Sequence, residues 1–232
     1  MKKLIYSLIC VRSGSKGLKN KNIKKFSGKP LVYWTIKQSN EFNQISRTFV
    51  STDSNKIANI CRKYNAEIPY LRKKNLARDD TPEWIVWKDF LKNLIKQKIN
   101  LPEIIIILPV TSPLRELRDI KNCISKFEST KSDILITVTQ ASRNPYYNMV
   151  EKKKNGYFGV VNNRKKVLYR RQQAKKVFDV CTIAYVTTPF YILKNKNLFS
   201  GKVDVLEIPR ERSIDIDNAY DFGIAQYLFK KK

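Results

Sequence analysis

An apolar run from Leu4 to Val11 stops at Arg12-Ser-Gly-Ser-Lys-Gly-Leu-Lys-Asn-Lys-Asn22. The run has the length and β-branched content of a buried strand, and Gly14 and Gly17 break it into a loop. Glycine lets such a loop turn tightly and brings backbone N–H groups close to an anion. Arg12, Lys16, Lys19 and Lys21 add four positive charges within ten residues, and Asn22 adds a polar side chain at the far end. A strand leading into a cationic glycine loop suits a nucleoside triphosphate, whose phosphates carry most of its charge. The spacing matches neither GxxxxGK[ST] nor GxGxxG, so it is neither a Walker loop nor a dinucleotide fingerprint. A lysine-rich surface loop is the competing reading, and the loop by itself does not separate the two.

Strand and helix signals alternate along the next part of the chain. Pro30 opens a helix over Leu31-Val-Tyr-Trp-Thr-Ile36 that ends near Asn40, and Thr48 to Thr52 reads as a strand. Asp53 and Ser54 suit the cap of a helix running to Tyr64. Glu67 to Leu71 suggests another strand, and Thr81-Pro82-Glu83 starts a helix that continues through Trp84, Trp87 and Phe90. Ile104 to Leu108 is almost continuously apolar, as strands buried on both faces are. A helix follows Arg115, and Ile134 to Thr139 is a strand. This alternation predicts an α/β fold: a mostly parallel, twisted sheet with helices on both faces and ligands at the carboxyl ends of the strands.

From about Ala141 to Phe178 the pattern changes. Asn144-Pro145, Lys152 to Lys154 and Asn155-Gly156 mark turns, and Met149-Val-Glu151 with Tyr157 to Val161 reads as a hairpin. Val180 to Val186 and Val203 to Ile208 return to the main sheet, and a last helix begins near Asn218. Residues 1–232 are therefore expected to form a single domain, with 141–178 as an inserted extension.

With 42% hydrophobic residues the chain is able to bury a full core. Its 46 basic against 20 acidic residues give a formal charge of +26, which raises the prospect of nucleic acid or an anionic membrane surface. The excess is mostly lysine scattered along the chain, and the aromatic residues do not interleave with it. Compositional bias on solvated faces is the better account, so no specific nucleic-acid or membrane partner is expected. No histidine is present, which excludes histidine-based hydrolysis and most zinc chemistry. Cys10, Cys61, Cys123 and Cys181 lack CxxC spacing and read as buried free thiols in a reducing compartment. With no signal-peptide pattern at Met1-Lys2-Lys3 and no run of about 18 apolar residues, the expected location is cytoplasmic.

Arg210-Glu-Arg-Ser-Ile-Asp215-Ile-Asp217 carries a second signal. In an extended segment residues two apart share a side, so Asp215 and Asp217 point together while Ile214 and Ile216 face the core. Two carboxylates converging beside phosphates suit a magnesium ion. An ordinary capping segment before Asn218-Ala219-Tyr220 is the alternative, and the cationic loop elsewhere favours the metal.

Taken in order, Arg12 to Asn22, Leu71-Arg72, Leu76-Ala77 with Asp79, Thr111-Ser-Pro-Leu-Arg115, Arg170-Arg-Gln172 and Arg212 to Asp217 resemble the acylneuraminate cytidylyltransferases. That family includes the bacterial legionaminic and pseudaminic acid relatives. The resemblance spans nearly the whole chain. It implies a Rossmann-like fold, with 141–178 as a small extension that mediates homodimerisation. The implied reaction joins CTP to a nonulosonic, sialic-acid-like sugar acid, giving the CMP-sugar and pyrophosphate. The resemblance assigns the CTP phosphates and ribose to Arg12, Ser15, Lys16, Lys21 and Asn22, and cytosine to Arg72 with the stretch around Ala77. It assigns magnesium to Asp215 and Asp217, which with Arg12 and Lys21 form the catalytic set. Arg170, Arg171 and Gln172 are the candidates for the sugar acid, supplied in one arrangement across the dimer. Three departures, Pro109-Val110 before Thr111, Gln173 with Lys175 in the arginine motif, and Cys181, fall where the sugar is expected. Two rival readings are a sugar nucleotidyltransferase for a shorter keto-sugar acid and a basic nucleic-acid-binding protein.

Overall fold

The computed structural model describes residues 3–162 and 170–231. The chain runs β1 (Ile5–Cys10), β2 (Lys25–Phe26), β3 (Lys29–Pro30), α1 (Leu31–Glu41), β4 (Ile45–Ser51), α2 (Asn55–Arg62), α3 (Glu83–Lys96) and β5 (Ile104–Ile107). It continues through α4 (Leu117–Ser129), β6 (Ile134–Gln140), β7 (Val150–Lys152), β8 (Phe158–Val160), β9 (Phe178–Thr187), α5 (Pro189–Lys194), β10 (Val203–Glu207) and α6 (Ala219–Lys230). The expected elements form with small shifts at their ends, and Ser54 and Asn218 cap α2 and α6 through their side chains. Glu67 to Leu71 is the exception. Its backbone pairs with the sheet through isolated parallel bridges, Phe49 to Glu67 and Thr52 to Leu71, instead of forming a strand.

The main sheet has six strands in the order β10-β6-β9-β5-β1-β4. All its pairings are parallel except those of β9, which runs antiparallel to both β5 and β6. The excursion at 141–178 is the physical cause. The chain leaves β6 at Gln140 and returns opposite it at Phe178, and an antiparallel return needs no helical crossover. Two apolar layers flank the sheet. On one face Leu31, Val32 and Ile36 of α1, Ile57 of α2, Ile120 and Ile124 of α4, and Phe222 of α6 pack against Ile9, Val50 and Ile106. On the other, Trp84, Trp87, Phe90 and Leu94 of α3 join Tyr191 and Ile192 of α5 over Leu8, Ile105 and Ile107. Strand β5 is buried on both faces, as its unbroken isoleucine run requires.

Within the extension, β7 and β8 pair as the expected hairpin, standing apart from the main sheet. Among the described residues no helix is long and apolar enough to cross a membrane.

Candidate active site

Strands β1, β4 and β5 are parallel neighbours, so their carboxyl ends open on one edge of the sheet. A cleft of about 480 Å³ lies there, within the size range of small-molecule sites. Arg12, Ser15, Lys16, Gly17, Lys21 and Asn22 of the glycine loop line it, together with Arg72, Pro109, Thr111, Thr182 and Asp217.

The loop is held at both ends. The Ser13 N–H and hydroxyl donate to Asp53, at 2.9 and 2.6 Å. Asn22, almost fully buried, donates from its amide to the Arg12 carbonyl at 3.0 Å. Gly17 has a different role from the one its anion-binding context suggests: a Cβ there would collide with the backbone carbonyl oxygen of Asp217. The loop and the Asp215–Asp217 segment touch backbone to backbone, and only glycine permits it. Lys21 secures the same junction, donating to the Ile216 carbonyl at 2.5 Å and to the Asp217 carboxylate at 3.2 Å. Gly17→Ala is therefore expected to cost about 1–3 kcal/mol in thermal or denaturant unfolding, because a backbone oxygen has no rotamer in which to escape. Gly14→Ala, with open space around the added methyl, is expected to leave stability within error.

The two aspartates differ sharply. Ile216 is fully buried and Ile214 packs on the core, as alternation requires. Asp217 is mostly exposed, whereas Asp215 Oδ1 is buried and has no hydrogen-bond partner. Burial pushes the Asp215 carboxyl above the usual carboxylate range. The Thr111 hydroxyl opposes that shift, and the Asp217 charge adds to it. An orphaned carboxylate oxygen beside a second carboxylate is a donor set that fits a hard divalent cation.

The arginines of the sequence motifs divide into scaffold and site. Arg115 is 2% exposed and donates to the carbonyls of Ile183 and Pro109, to Gln38 and to Thr35, tying the 109–115 turn to β9 and α1. Its pKa is pushed down to about 10 by burial. Arg212 makes a two-pronged pair with Asp119 at 2.9 and 3.1 Å, both side chains buried, and so anchors the segment that carries the aspartates. The Ile216 N–H donates to the Thr111 carbonyl at 2.9 Å, joining that segment to the Thr-Ser-Pro turn. Thr182 arrives through an irregularity: β9 pairs with β6 on both sides of residues 182–184 but not through them. The bulge sets Thr182 beside Ser112, their hydroxyls 2.8 Å apart.

Arg12 and Lys16 both pair with Asp79, Lys16 at 2.7 Å, and these two cations hold the Asp79 carboxyl below its usual range. An anion entering the cleft would share these two cations with Asp79.

Of the expected site residues, Arg12, Ser15, Lys16, Lys21, Asn22, Arg72 and Asp217 line this one cleft. Asp215 stands behind them, close enough to Asp217 and Lys21 to feel both charges. Ala77 lies between the lining residues Leu76 and Arg78 without lining the cleft itself. Gln172 lines a separate cavity with Asn144 and Lys175, and Arg170 is exposed on the extension. The side chain of Arg171 lies outside the described residues. Cys10 departs from expectation: Cys61, Cys123 and Cys181 are buried, but Cys10 is only half-buried and lines the cleft. It does so because it is the last residue of β1, at the open edge. Glu83 also lines the cleft and was read in the sequence only as part of a helix start.

The family model described as Cytidylyltransferase matches residues 7–232, and the chain belongs to that family. Among curated relatives it is 33% identical to the CMP-N,N'-diacetyllegionaminic acid synthase of Campylobacter jejuni, over 98% of this chain and 96% of that protein. It is 31% identical, with the same coverages, to the post-translational flagellin modification protein B of Campylobacter coli. A solved CMP:2-keto-3-deoxy-manno-octonic acid synthetase complexed with CTP superposes with a TM-score of 0.70 at 12% identity, covering 98% of this chain and 99% of that one. At that identity the superposition establishes the shared Rossmann-like fold.

Proposed function

We propose that the chain is a magnesium-dependent, cytoplasmic cytidylyltransferase that joins CTP to a nonulosonic acid, releasing pyrophosphate. One observation carries the reading: a single cleft combines the cationic loop, buried Arg72 and the aspartate segment at the carboxyl edge of the sheet. Arg12, Lys16 and Lys21 neutralise the triphosphate and stabilise the charge that shifts onto the leaving pyrophosphate. Arg72 meets the base. Asp215 and Asp217 would hold the magnesium ion, which when bound would draw charge from the phosphate oxygens. The protein's remaining task is to align the sugar's anomeric hydroxyl with the α-phosphorus, an effect of position more than of covalent chemistry.

The sugar carboxylate suits a guanidinium pair. Arg170 lies on the extension and does not line the cleft of its own chain, so this reading supplies it from a second copy. The extension's exposed apolar side chains support such a homodimer: Tyr157 is 77% and Phe158 69% exposed on an isolated two-stranded hairpin.

Pyrophosphate release, measured with CTP against legionaminic, pseudaminic, sialic and eight-carbon keto-sugar acids, tests the reading. A nine-carbon acid is expected to turn over well above the eight-carbon acid. CTP is expected to be used at least about 100-fold better than UTP, since a buried site built for an amine donor leaves groups unmatched against a carbonyl. Release confined to the eight-carbon acid supports the shorter-substrate rival. RNA binding that persists at the salt where CTP binding is retained supports the nucleic-acid rival.

A further inference from the structure

One end of the cleft holds polar groups that neither the phosphates nor a metal explains. Arg72 is 5% exposed, its guanidinium donates to the Val11 carbonyl at 3.3 Å, and its Nε is buried without a partner. The indole N–H of Trp87, also buried, is turned toward Glu83 and Cys10 without completing a well-formed hydrogen bond. Glu83, the first residue of α3, lines the cleft on the same side and interacts electrostatically with Arg72. The Cys10 thiol faces both. Buried polar groups are nearly always satisfied, so the unpaired Arg72 Nε beside incompletely paired neighbours at a cleft marks where a ligand supplies missing bonds.

We propose that Glu83 is the residue that distinguishes cytosine from uracil, accepting the exocyclic N4 amine while Arg72 donates to the ring acceptors. The proposal rests on the CTP reading above and deepens it. The chemistry is one of complementary edges. Cytosine presents an amine donor at position 4 and an acceptor at N3, which match a carboxylate and a guanidinium respectively. Uracil reverses both, turning a carbonyl lone pair toward the carboxylate and an N–H toward the guanidinium. Each mismatch leaves a polar group unpaired once the base covers it, and such sites discriminate far more strongly than apolar ones.

The surroundings support this placement. Glu83 keeps exposed surface because it faces the cleft, while protein atoms crowd its other sides and push its carboxyl above the usual range. Asp215 adds to that shift, whereas Trp87, Cys10 and Arg72 oppose it. An amine donor placed against Glu83 would stabilise the ionised carboxylate, which a uracil carbonyl cannot do.

The test compares CTP and UTP binding by calorimetry, without sugar acid, for wild type, Glu83→Gln and Glu83→Ala. Glutamine keeps the size and presents an amide N–H that matches the uracil carbonyl. The CTP-to-UTP affinity ratio is expected to fall about tenfold or more in Glu83→Gln, partly through a gain in UTP binding. Glu83→Ala is expected to weaken CTP binding and lower the ratio without that gain, and the glutamine variant decides the matter if the alanine variant does not fold. Wild type that prefers CTP with a ratio unchanged within twofold in Glu83→Gln overturns the assignment and leaves the function standing. Wild type that binds neither triphosphate overturns both.

Discussion

Asp217→Asn is expected to lower cytidylyl transfer on the order of 100-fold or more while leaving the melting temperature of the free protein nearly unchanged. The two halves of that expectation have separate causes. The Asp217 carboxylate is 74% exposed, and its partner in the free protein is Lys21, which keeps its bond to the Ile216 carbonyl when the charge is removed. Lys21 is largely buried, but with the carboxylate this exposed to water the pair adds little to stability. The helix cap does not suffer either: the Asn218 side chain and the Asp221 carboxylate make it, with Asp217 contributing only its backbone N–H. A neutral amide is a weaker ligand for a hard cation than a carboxylate, so on the proposed metal assignment the magnesium concentration for half-maximal rate is expected to move upward. Magnesium-dependent thermal stabilisation by CTP is expected to weaken in parallel, a readout that does not depend on turnover. Asp215→Asn loses activity as fully. A variant of Asp217 that melts early and keeps the wild-type magnesium curve would make that residue structural.

Arg12→Ala is expected to remove about 2–4 kcal/mol of transition-state stabilisation, roughly 30- to 1,000-fold in kcat/KM. Arg12 follows β1 and projects into the cleft, where it pairs with Asp79 rather than with the core. Asp79 keeps Lys16 as a partner in the variant, so the fold is expected to persist. Steady-state kinetics with a saturating sugar acid, beside a thermal melt of the same preparation, checks both halves. Turnover within twofold of wild type would take the loop out of the mechanism.

How much of this molecule was legible beforehand depended on whether the governing interaction was local. Strand β1, the loop after it, the caps at Ser54 and Asn218 and the isoleucine strand β5 follow from hydrophobic period and capping chemistry within a few residues. The alternation of Ile214 and Ile216 with two aspartates was equally readable, because an extended segment has a period of two. Strand β9 was readable as a strand but not as an antiparallel one. Its direction is set by where the 141–178 excursion returns to the sheet.

The cleft itself was legible as a set of residues and not as an arrangement. Arg12 and Asp217 stand at opposite ends of the chain, and what brings them together is a glycine against a carbonyl and a lysine across the same junction. The motif arginines show the limit most clearly. Arg12, Arg72, Arg115 and Arg212 are the same residue type in equally distinctive strings, and sequence offers no local reason to separate them. The fold surrounds Arg115 with carbonyls and Arg212 with a carboxylate, making them anchors, while it leaves Arg72 short of a partner at the cleft. Glu83 was hidden for the same reason, since a glutamate after proline is an ordinary helix start. Sequence determined the strands, the caps and the inventory of charges, because those depend on neighbours along the chain. Which charges are satisfied and which are left for a ligand depends on neighbours in space, and only the tertiary structure decided that.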